Sequence, residues 1–399
     1  MDKRRILFIE TGLTSGGSWH SLNGLIMNNR NIGFLIDIAV FIENDFTNSW
    51  REKGFNVYLL ETNNFLSPQH LVSRILNKLL KITNKNTWKN IFFIFIYKLK
   101  YRLEIQSLSH ILSTNQYSLI IANVNPERDL FAIISSIRYS AKSICFIRSN
   151  RTLYLNSKIL KYLNENVNLF ICNSNFTLKY WQQLGISVDK SIVIYNTFNL
   201  CSINSKTLNR IKDNHFIKDN YIVISIANFS DAKGHAFLID AFNEVVKLTE
   251  RIQLILVGEG PLFEPIQQKV KKINLEKRVH FLGYSNAAFE LLSKADLLVV
   301  PSKNEAFGRV IVEGFSLKKP IIASNVGGIP ELITHRKNGI MVNYGDISGL
   351  KDSILEIYNN KELGYKIANE GYQFYLSNFS NDTQLKIFIQ NIKEIIDKK

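Results

Sequence analysis

Cysteine is scarce in this chain: three residues in 399, at Cys145, Cys172 and Cys201. An odd number at wide spacing excludes a disulfide framework, and no His/Cys cluster has the spacing of metal ligands. Cys145 and Cys172 lie in apolar runs and read as small buried hydrophobes, which suits a reducing cytosol. Long apolar stretches are also lacking. A membrane-spanning helix needs about 18 or more apolar residues in a row, and the nearest run, Ile91–Tyr97, is far shorter. The sequence opens Met1-Asp2-Lys3-Arg4-Arg5 and passes straight into a short strand, without the apolar length of a signal peptide. The expected location is therefore the cytoplasm, with the inner face of the cell membrane as a peripheral station. Neither a zinc-finger spacing nor an RNP-type aromatic run occurs, so nucleic acid is not an expected partner.

Hydrophobic residues make up 46% and charged residues 21%, the balance of a globular chain. Its length exceeds what one core usually serves, so two domains are expected. The formal net charge of +15 points to anionic partners, either phosphorylated ligands or an anionic membrane surface.

Short β-branched runs alternate with helix-length amphipathic segments, the rhythm of βαβ units and a parallel sheet. Arg5–Ile9, Ser118–Ala122, Ser143–Ile147 and Leu169–Cys172 read as strands of a first half. A glycine loop, Gly12–Gly17, follows the first of them. A polar, weakly patterned stretch from Asn196 to Asn214 reads as the linker. The rhythm then restarts with strands Tyr221–Ala227, Gln253–Val257, Val279–Leu282, Asp296–Val300 and Pro320–Ala323. Helices are expected over His235–Glu250, Ala287–Lys294 and Arg309–Leu317, and Lys351–Lys399 reads as helical throughout. In His235–Glu250, Leu238, Ala241, Phe242, Val245 and Val246 form one wide apolar face.

The segment Pro301–Glu331 carries the chemistry. A strand ends at Pro301, a loop bearing Glu305 follows, and Gly308 opens a helix. In open α/β sheets ligands sit beyond the carboxyl ends of the strands. A helix N-terminus there presents free N–H groups to a phosphate, and a glycine permits close approach. Glu305 and Glu313 make poor phosphate ligands but good acceptors for neutral hydroxyls, one set on a sugar and one on a ribose. Either Glu taken singly would be a solvated surface charge; the strand–loop–glycine–helix context argues for the functional role.

The segment PSKNEAFGRVIVEGFSLKKPIIASNVGGIPELI resembles the retaining GT-B glycosyltransferases of glycosyltransferase family 4, the group 1 glycosyl transferases. Glu305 and Glu313 match their Glu-x7-Glu pair; Gly327, Gly328, Pro330 and Glu331 match their Gly-Gly-x-Pro-Glu turn. SIANFSDAKGH, Ser225–His235, resembles the segment in which an Arg and a Lys grip the donor diphosphate. Lys233 matches the Lys, but Asn228 stands where many members have Arg. Arg309 and Arg148 are the candidates for the missing cation. Val257–Pro261 resembles a Val-Gly-x-Gly-Pro turn, with Gly258 and Gly260, and Phe281-Leu282-Gly283 resembles the strand end near the base. Gly16 and Gly17 resemble the loop that approaches donor phosphate and acceptor.

The resemblance implies an α/β fold of two Rossmann-like domains facing a central cleft. An acceptor-binding domain is expected over 1–200 and a nucleotide-sugar-binding domain over 201–375. A C-terminal helix, 376–399, is expected to cross back to the N-terminal domain. The implied catalytic residues are Glu305, Lys233 and Arg148. The implied donor contacts are Gly16, Gly17, Asn228, Gly258, Gly260, Leu282, Gly283, Ala306, Phe307, Gly308, Arg309 and Glu313. The implied reaction is retaining transfer from a UDP- or GDP-sugar to a glycan or polyprenyl-diphosphate-linked acceptor, as in bacterial surface polysaccharide synthesis. Its oxocarbenium-like transition state leaves the protein to stabilise charge on the departing phosphates. No Asp-x-Asp pair occurs, so no metal ion is expected, and no cofactor beyond the donor substrate. Two alternatives stay open: a sugar-nucleotide epimerase on the same fold, and a non-catalytic nucleotide-sugar-binding protein.

Residues 70–102 hold eight Lys or Arg and no Asp or Glu, interleaved with Leu71, Ile75, Leu79, Trp88 and the Ile91–Tyr97 run. Such a stretch reads either as a membrane-interfacial surface or as an ordinary helix pair with solvated lysines.

Overall fold

A computed structural model describes residues 4–12, 16–28, 33–62, 97–152, 155, 157–196, 220–379 and 381–398. Residues 70–96 of the basic stretch, Cys201 and the expected linker from 197 onward lie outside them. The chain forms two compact units, Met1–Asn199 with Asn381–Lys399, and Leu200–Ser380.

The first unit is built on seven parallel strands: β1 Arg5–Glu10, β2 Leu35–Val40, β3 Asn56–Leu59, β4 Leu119–Ala122, β5 Lys142–Ile147, β6 Leu169–Cys172 and β7 Ser191–Val193. Their order is β3-β2-β1-β4-β5-β6-β7, so the chain reverses direction across the sheet between β1 and β4. Helices α1 Gly17–Asn28, α2 Asp45–Glu52, α3 Arg102–Thr114, α4 Leu130–Arg138, α5 Ser157–Asn166 and α6 Asn175–Leu184 make the connections. β1, β4, β5 and β6 are almost wholly buried, which is why they read as unbroken apolar runs. The sequence pattern predicts no strand over β2, whose Asp37 interrupts it. That carboxylate is buried and satisfied by Arg5 at 3.0 Å, the Tyr117 hydroxyl at 2.6 Å and Asn56 at 2.9 Å. Cys145 and Cys172 are buried and unpaired by disulfide, and burial pushes the Cys172 thiol up to about 12.

Local signals set the helix ends. Ser174 caps α6 by accepting from Thr177 N at 3.0 Å, and Gly185, at φ 109°, ends it in the left-handed region. Asn44 and Thr47 form a reciprocal capping box at α2.

The second unit has six parallel strands: β8 Tyr221–Ile226, β9 Ile252–Val257, β10 Val279–Phe281, β11 Leu297–Val300, β12 Ile321–Ser324 and β13 Ile340–Val342. Their order is β10-β9-β8-β11-β12-β13, with the reversal between β8 and β11. Helices α7 His235–Val246, α8 Phe263–Lys272, α9 Ala288–Lys294, α10 Arg309–Ser316, α11 Ile347–Asn359 and α12 Lys361–Asn378 surround it. The predicted strands and helices of this half lie within a few residues of those observed; β13 was not predicted.

The last helix, α13 Asn381–Asp397, belongs to the first unit. Phe388 is fully buried, with its ring centroid 6.4 Å from Phe8 on β1 and 5.9 Å from Phe146 on β5. Gln384 accepts from the Tyr195 N–H at 2.9 Å, just after β7. Among the described residues, no helix is long and apolar enough to cross a membrane.

Candidate functional site

In the second unit the strand reversal brings two loops together. The loop after β8 ends in a tight turn, Asp231–Lys233, and the loop after β11 carries Ser302–Phe307. They are laced by the main chain: Lys303 N and Asn304 N both donate to Ala232 O, at 2.9 and 3.1 Å. Gly234 follows at φ 67°, and a Cβ there would lie 1.9 Å from Pro301 O. The result is a direct ion pair, Lys233 Nζ to Glu305 Oε2 at 2.6 Å, with side chains 25% and 14% exposed. Ser302 Oγ donates to the same oxygen at 3.4 Å.

The Gly-Gly turn explains how Glu305 is held. Gly328 N donates to Glu305 O at 2.9 Å. A Cβ on Gly327, at φ 58°, would sit 1.9 Å from Glu305 O, and one on Gly328 would sit 2.4 Å from Ala306 O. This turn therefore packs its bare backbone against the backbone of the Glu305 loop and sets its position. Phe307 anchors the loop's far side, buried against Phe379 with ring centroids 6.0 Å apart.

Gly308, at φ 97°, is the N-cap of α10, and no side chain caps that end. Arg309 is the helix's first residue. Its guanidinium pairs with Glu313 one turn on. Burial pushes the Glu313 carboxyl up, and the Arg309 charge pulls it back down. Arg309, a candidate for the missing cation, is thus in contact with the carboxylate expected to hold the ribose.

The other donor-side residues gather at the ends of β8, β9 and β10. Phe229 N donates to Glu259 O at 2.9 Å, and Gly258 N to Gly283 O at 2.8 Å. Gly258 and Gly260 approach the backbone of Ala227 and Phe229 so closely that a Cβ would lie 2.0 and 2.6 Å from their carbonyl oxygens. Leu282 N donates to Leu256 O at 3.0 Å, seating the end of β10. Asn228 lies on this rim, where its amide oxygen accepts from Ser230 Oγ at 3.3 Å. His235, at the start of α7, is 2% exposed and stacks on Phe229 with centroids 4.0 Å apart. Neither of its ring nitrogens has a hydrogen-bond partner among the described residues. Burial, with the nearby Lys233 charge, pulls it down to about 4.

The remaining candidates lie in the first unit, at its own reversal between β1 and β4. Gly16 precedes α1 and Gly17 is its first residue, exposed and with open space where a Cβ would be. Arg148, at the end of β5, lies over the Phe146 ring at 4.4 Å and bonds to Asn123 and Asn196. Asn123 in turn donates to Glu10 Oε2 at 2.5 Å. The sequence pattern singled out neither Glu10 nor Asn123. A usable signal was present: an acidic residue closing an almost wholly buried strand, at the carboxyl edge where parallel sheets bind ligands. Among the described residues no group of three or more His, Cys, Asp or Glu is arranged to hold a metal ion.

Residues 208–374 match the family described as glycosyl transferases group 1. The chain carries a group 1 glycosyltransferase domain. That domain spans both loops of the Lys233–Glu305 pair, the Gly-Gly turn and the Arg309–Glu313 pair. The N-acetyl-alpha-D-glucosaminyl L-malate synthase of Bacillus anthracis is 31% identical over 190 residues, which cover 47% of this chain and 50% of the relative. The N-acetylgalactosamine-N,N'-diacetylbacillosaminyl-diphospho-undecaprenol 4-alpha-N-acetylgalactosaminyltransferase of Campylobacter jejuni is 26% identical, over 55% of this chain and 61% of its own. The chain spans about half the length of the curated relatives it matches. Among solved structures, Anabaena Alr3699/HepE in complex with UDP and glucose superposes with a TM-score of 0.77 at 20% identity. It covers 98% of this chain and 100% of its own. Sucrose-phosphate synthase of Thermosynechococcus elongatus gives 0.76 at 17%, over 98% and 99%. These likenesses show the fold around the group 1 domain: two Rossmann-like domains of GT-B type.

Proposed function

We propose that this protein transfers a glycosyl group, with retention and without a metal ion, from a UDP- or GDP-sugar to a glycan or lipid-linked glycan acceptor of bacterial surface polysaccharide synthesis. The observation that carries this is the Lys233–Glu305 pair at the strand reversal of the group 1 domain. A cation and a carboxylate are held there, each partly open to solvent, by main-chain bonds that do not depend on either side chain. In this reading a donor exchanges partners with the pair. Lys233 turns to the diphosphate, and Glu305 accepts from the sugar hydroxyls. The uncapped N-terminus of α10 at Gly308 offers N–H groups to the leaving phosphate. Glu313 accepts from the ribose, and the rim formed by Asn228, Gly258, Gly260, Leu282 and Gly283 borders the base.

The names of the relatives support the substrate classes. HepE was captured with UDP and glucose. The Campylobacter relative is a glycosyltransferase acting on a diphospho-undecaprenol-linked sugar. A polyprenyl-diphosphate acceptor would also suit the net charge and the basic stretch 70–102 at an anionic membrane surface.

The test is a nucleotide-release assay over a panel of UDP- and GDP-sugars, beside a thermal-shift screen with UDP and GDP. Turnover of one donor, with stabilisation by its nucleotide, is expected. No turnover and no shift with any of them would refute the reading.

A further inference from the structure

The first unit holds a buried polar chain that the donor-site reading does not use. It begins at Arg148. The Arg148 Nε donates to the Asn123 main-chain oxygen at 2.8 Å and to its Oδ1 at 3.2 Å, and Nη2 donates to Oδ1 at 2.6 Å. Nη1 donates to Asn196 Oδ1. On its other side, Asn123 Nδ2 donates to Glu10 Oε2. Glu10 Oε1 then accepts from Gly12 N at 2.7 Å and Ser18 Oγ at 3.1 Å. Asn123 and Glu10 are both fully buried.

One amide orientation satisfies both neighbours. A guanidinium has no acceptor and an ionised carboxylate has no donor. The Asn123 oxygen must therefore face Arg148 and its nitrogen must face Glu10. Arg148 thereby fixes which way Asn123 turns, and Asn123 fixes Glu10. Glu10 reaches the backbone at Gly12, whose carbonyl is held from the other side by Trp19 Nε1 at 3.2 Å. The fit leaves no room for a side chain, since a Cβ on Gly12 would lie 2.7 Å from both Glu10 Oε1 and Trp19 Nε1.

We infer that Arg148 is a positioning residue: through Asn123 and Glu10 it sets the backbone at Gly12 and the Ser18 hydroxyl in the first turn of α1, at the strand reversal of the first unit. The sequence offered Arg148 as a catalytic residue and, beside Arg309, as a candidate for the cation at the diphosphate. Three of its nitrogens are instead committed to Asn123 and Asn196, and its face lies on Phe146. Burial pushes the Glu10 carboxyl up, and the Asn123 and Gly12 hydrogen bonds oppose that rise.

The inference rests on the proposed function for its kinetic arm alone. The experiment compares wild type with Arg148→Met, Arg148→Lys, Glu10→Gln and the double variant Glu10→Gln/Arg148→Met. Hydrogen exchange at the Gly12 amide is measured first, with no substrate present. Faster exchange is expected in Arg148→Met and Glu10→Gln, with partial recovery in Arg148→Lys. Donor turnover comes second. Arg148→Met is expected to lose about tenfold or more in kcat, with donor KM little changed, as for a buried charged hydrogen bond removed. The double variant is expected to lose no more than the worse single one, because the residues act as one chain. A raised KM with unchanged kcat and unchanged Gly12 exchange would make Arg148 a direct phosphate ligand and overturn the inference. Losses that multiply in the double variant would overturn it too. If wild type turns over no sugar nucleotide, the proposed function fails, and the Gly12 exchange still decides the role of Arg148.

Discussion

Lys233 and Glu305 are 72 residues apart in sequence, yet Nζ and Oε2 stand 2.6 Å apart across the strand reversal between β8 and β11. The loops that carry them are tied by main-chain bonds to Ala232 O and Glu305 O. The pair is therefore a product of the backbone rather than its cause. Glu305→Gln should lower donor turnover about a hundredfold or more while moving the unfolding free energy by about 1 kcal/mol at most, the worth of a partly solvated ion pair. Steady-state kinetics beside thermal unfolding separates the two. An active Glu305→Gln enzyme would remove Glu305 from the mechanism.

Gly327 and Gly345 both have left-handed backbone, at φ 58° and 91°. Their surroundings differ. A Cβ on Gly327 strikes Glu305 O, whereas one on Gly345 meets nothing within 4 Å. Gly345→Ala should cost about 1 kcal/mol of conformational strain and keep activity. Gly327→Ala should cost about 3 kcal/mol or more and lose turnover, because the Glu305 loop must move. Denaturant melts of the two variants make the comparison.

Arg309 pairs with Glu313 on α10, and its charge opposes the rise that burial imposes on the Glu313 carboxyl. Arg309→Ala should leave that rise unopposed and shift Glu313 toward its neutral form at a given pH. A neutral Glu313 accepts less strongly from a hydroxyl, so donor KM should rise about tenfold or more, most at acidic pH. Kinetics across pH would show it; an unchanged KM would separate Arg309 from donor binding.

His235 titrates at about 4 in the folded protein, against an ordinary value near 6.5. A lowered histidine contributes stability above its unfolded pKa and loses it as pH falls through the folded one. The window is thus about pH 6.5 down to about 4, and the contribution is on the order of 3 kcal/mol. Phenylalanine at 235 would keep the stack on Phe229 without titrating. Melts of His235→Phe between those pH values should fall less steeply than wild type, and parallel curves would contradict the assignment.

The basic stretch 70–102 is expected to bring the protein to anionic liposomes at low ionic strength, with binding that weakens as salt rises. Sedimentation with anionic and with neutral vesicles tests this. No binding to anionic vesicles at low salt would remove the membrane role.

The second unit was the more legible in the sequence. Each of β8, β9, β11 and β12 is an uninterrupted buried run that ends in a turn, and the Glu pair and glycines follow at fixed spacing. The first unit hides its logic in long-range pairing. Asp37 breaks the apolar pattern of β2, and the groups that make it tolerable come from β1, β3 and the approach to β4. Glu10, Asn123 and Arg148 likewise end three different strands, 113 and 25 residues apart. No local spacing marks such a set as one network. The ion pair between Lys233 and Glu305 was also invisible, although both residues were assigned from their segments.

The first unit is discontinuous, since α13 supplies Phe388 to its core and Gln384 to the strand end at Tyr195. Domains tend to fold as units as the chain is synthesised. Here the group 1 domain is complete on the ribosome before the first unit is, because residues 381–397 emerge after it. The earlier-made sheet must wait, with the Phe8 and Phe146 side of its core uncovered, for the later-made domain to be translated through. A stop codon after residue 380 would therefore strike the distant N-terminal core, and the exposed face would make that unit a substrate for chaperones and proteases while its neighbour stays folded.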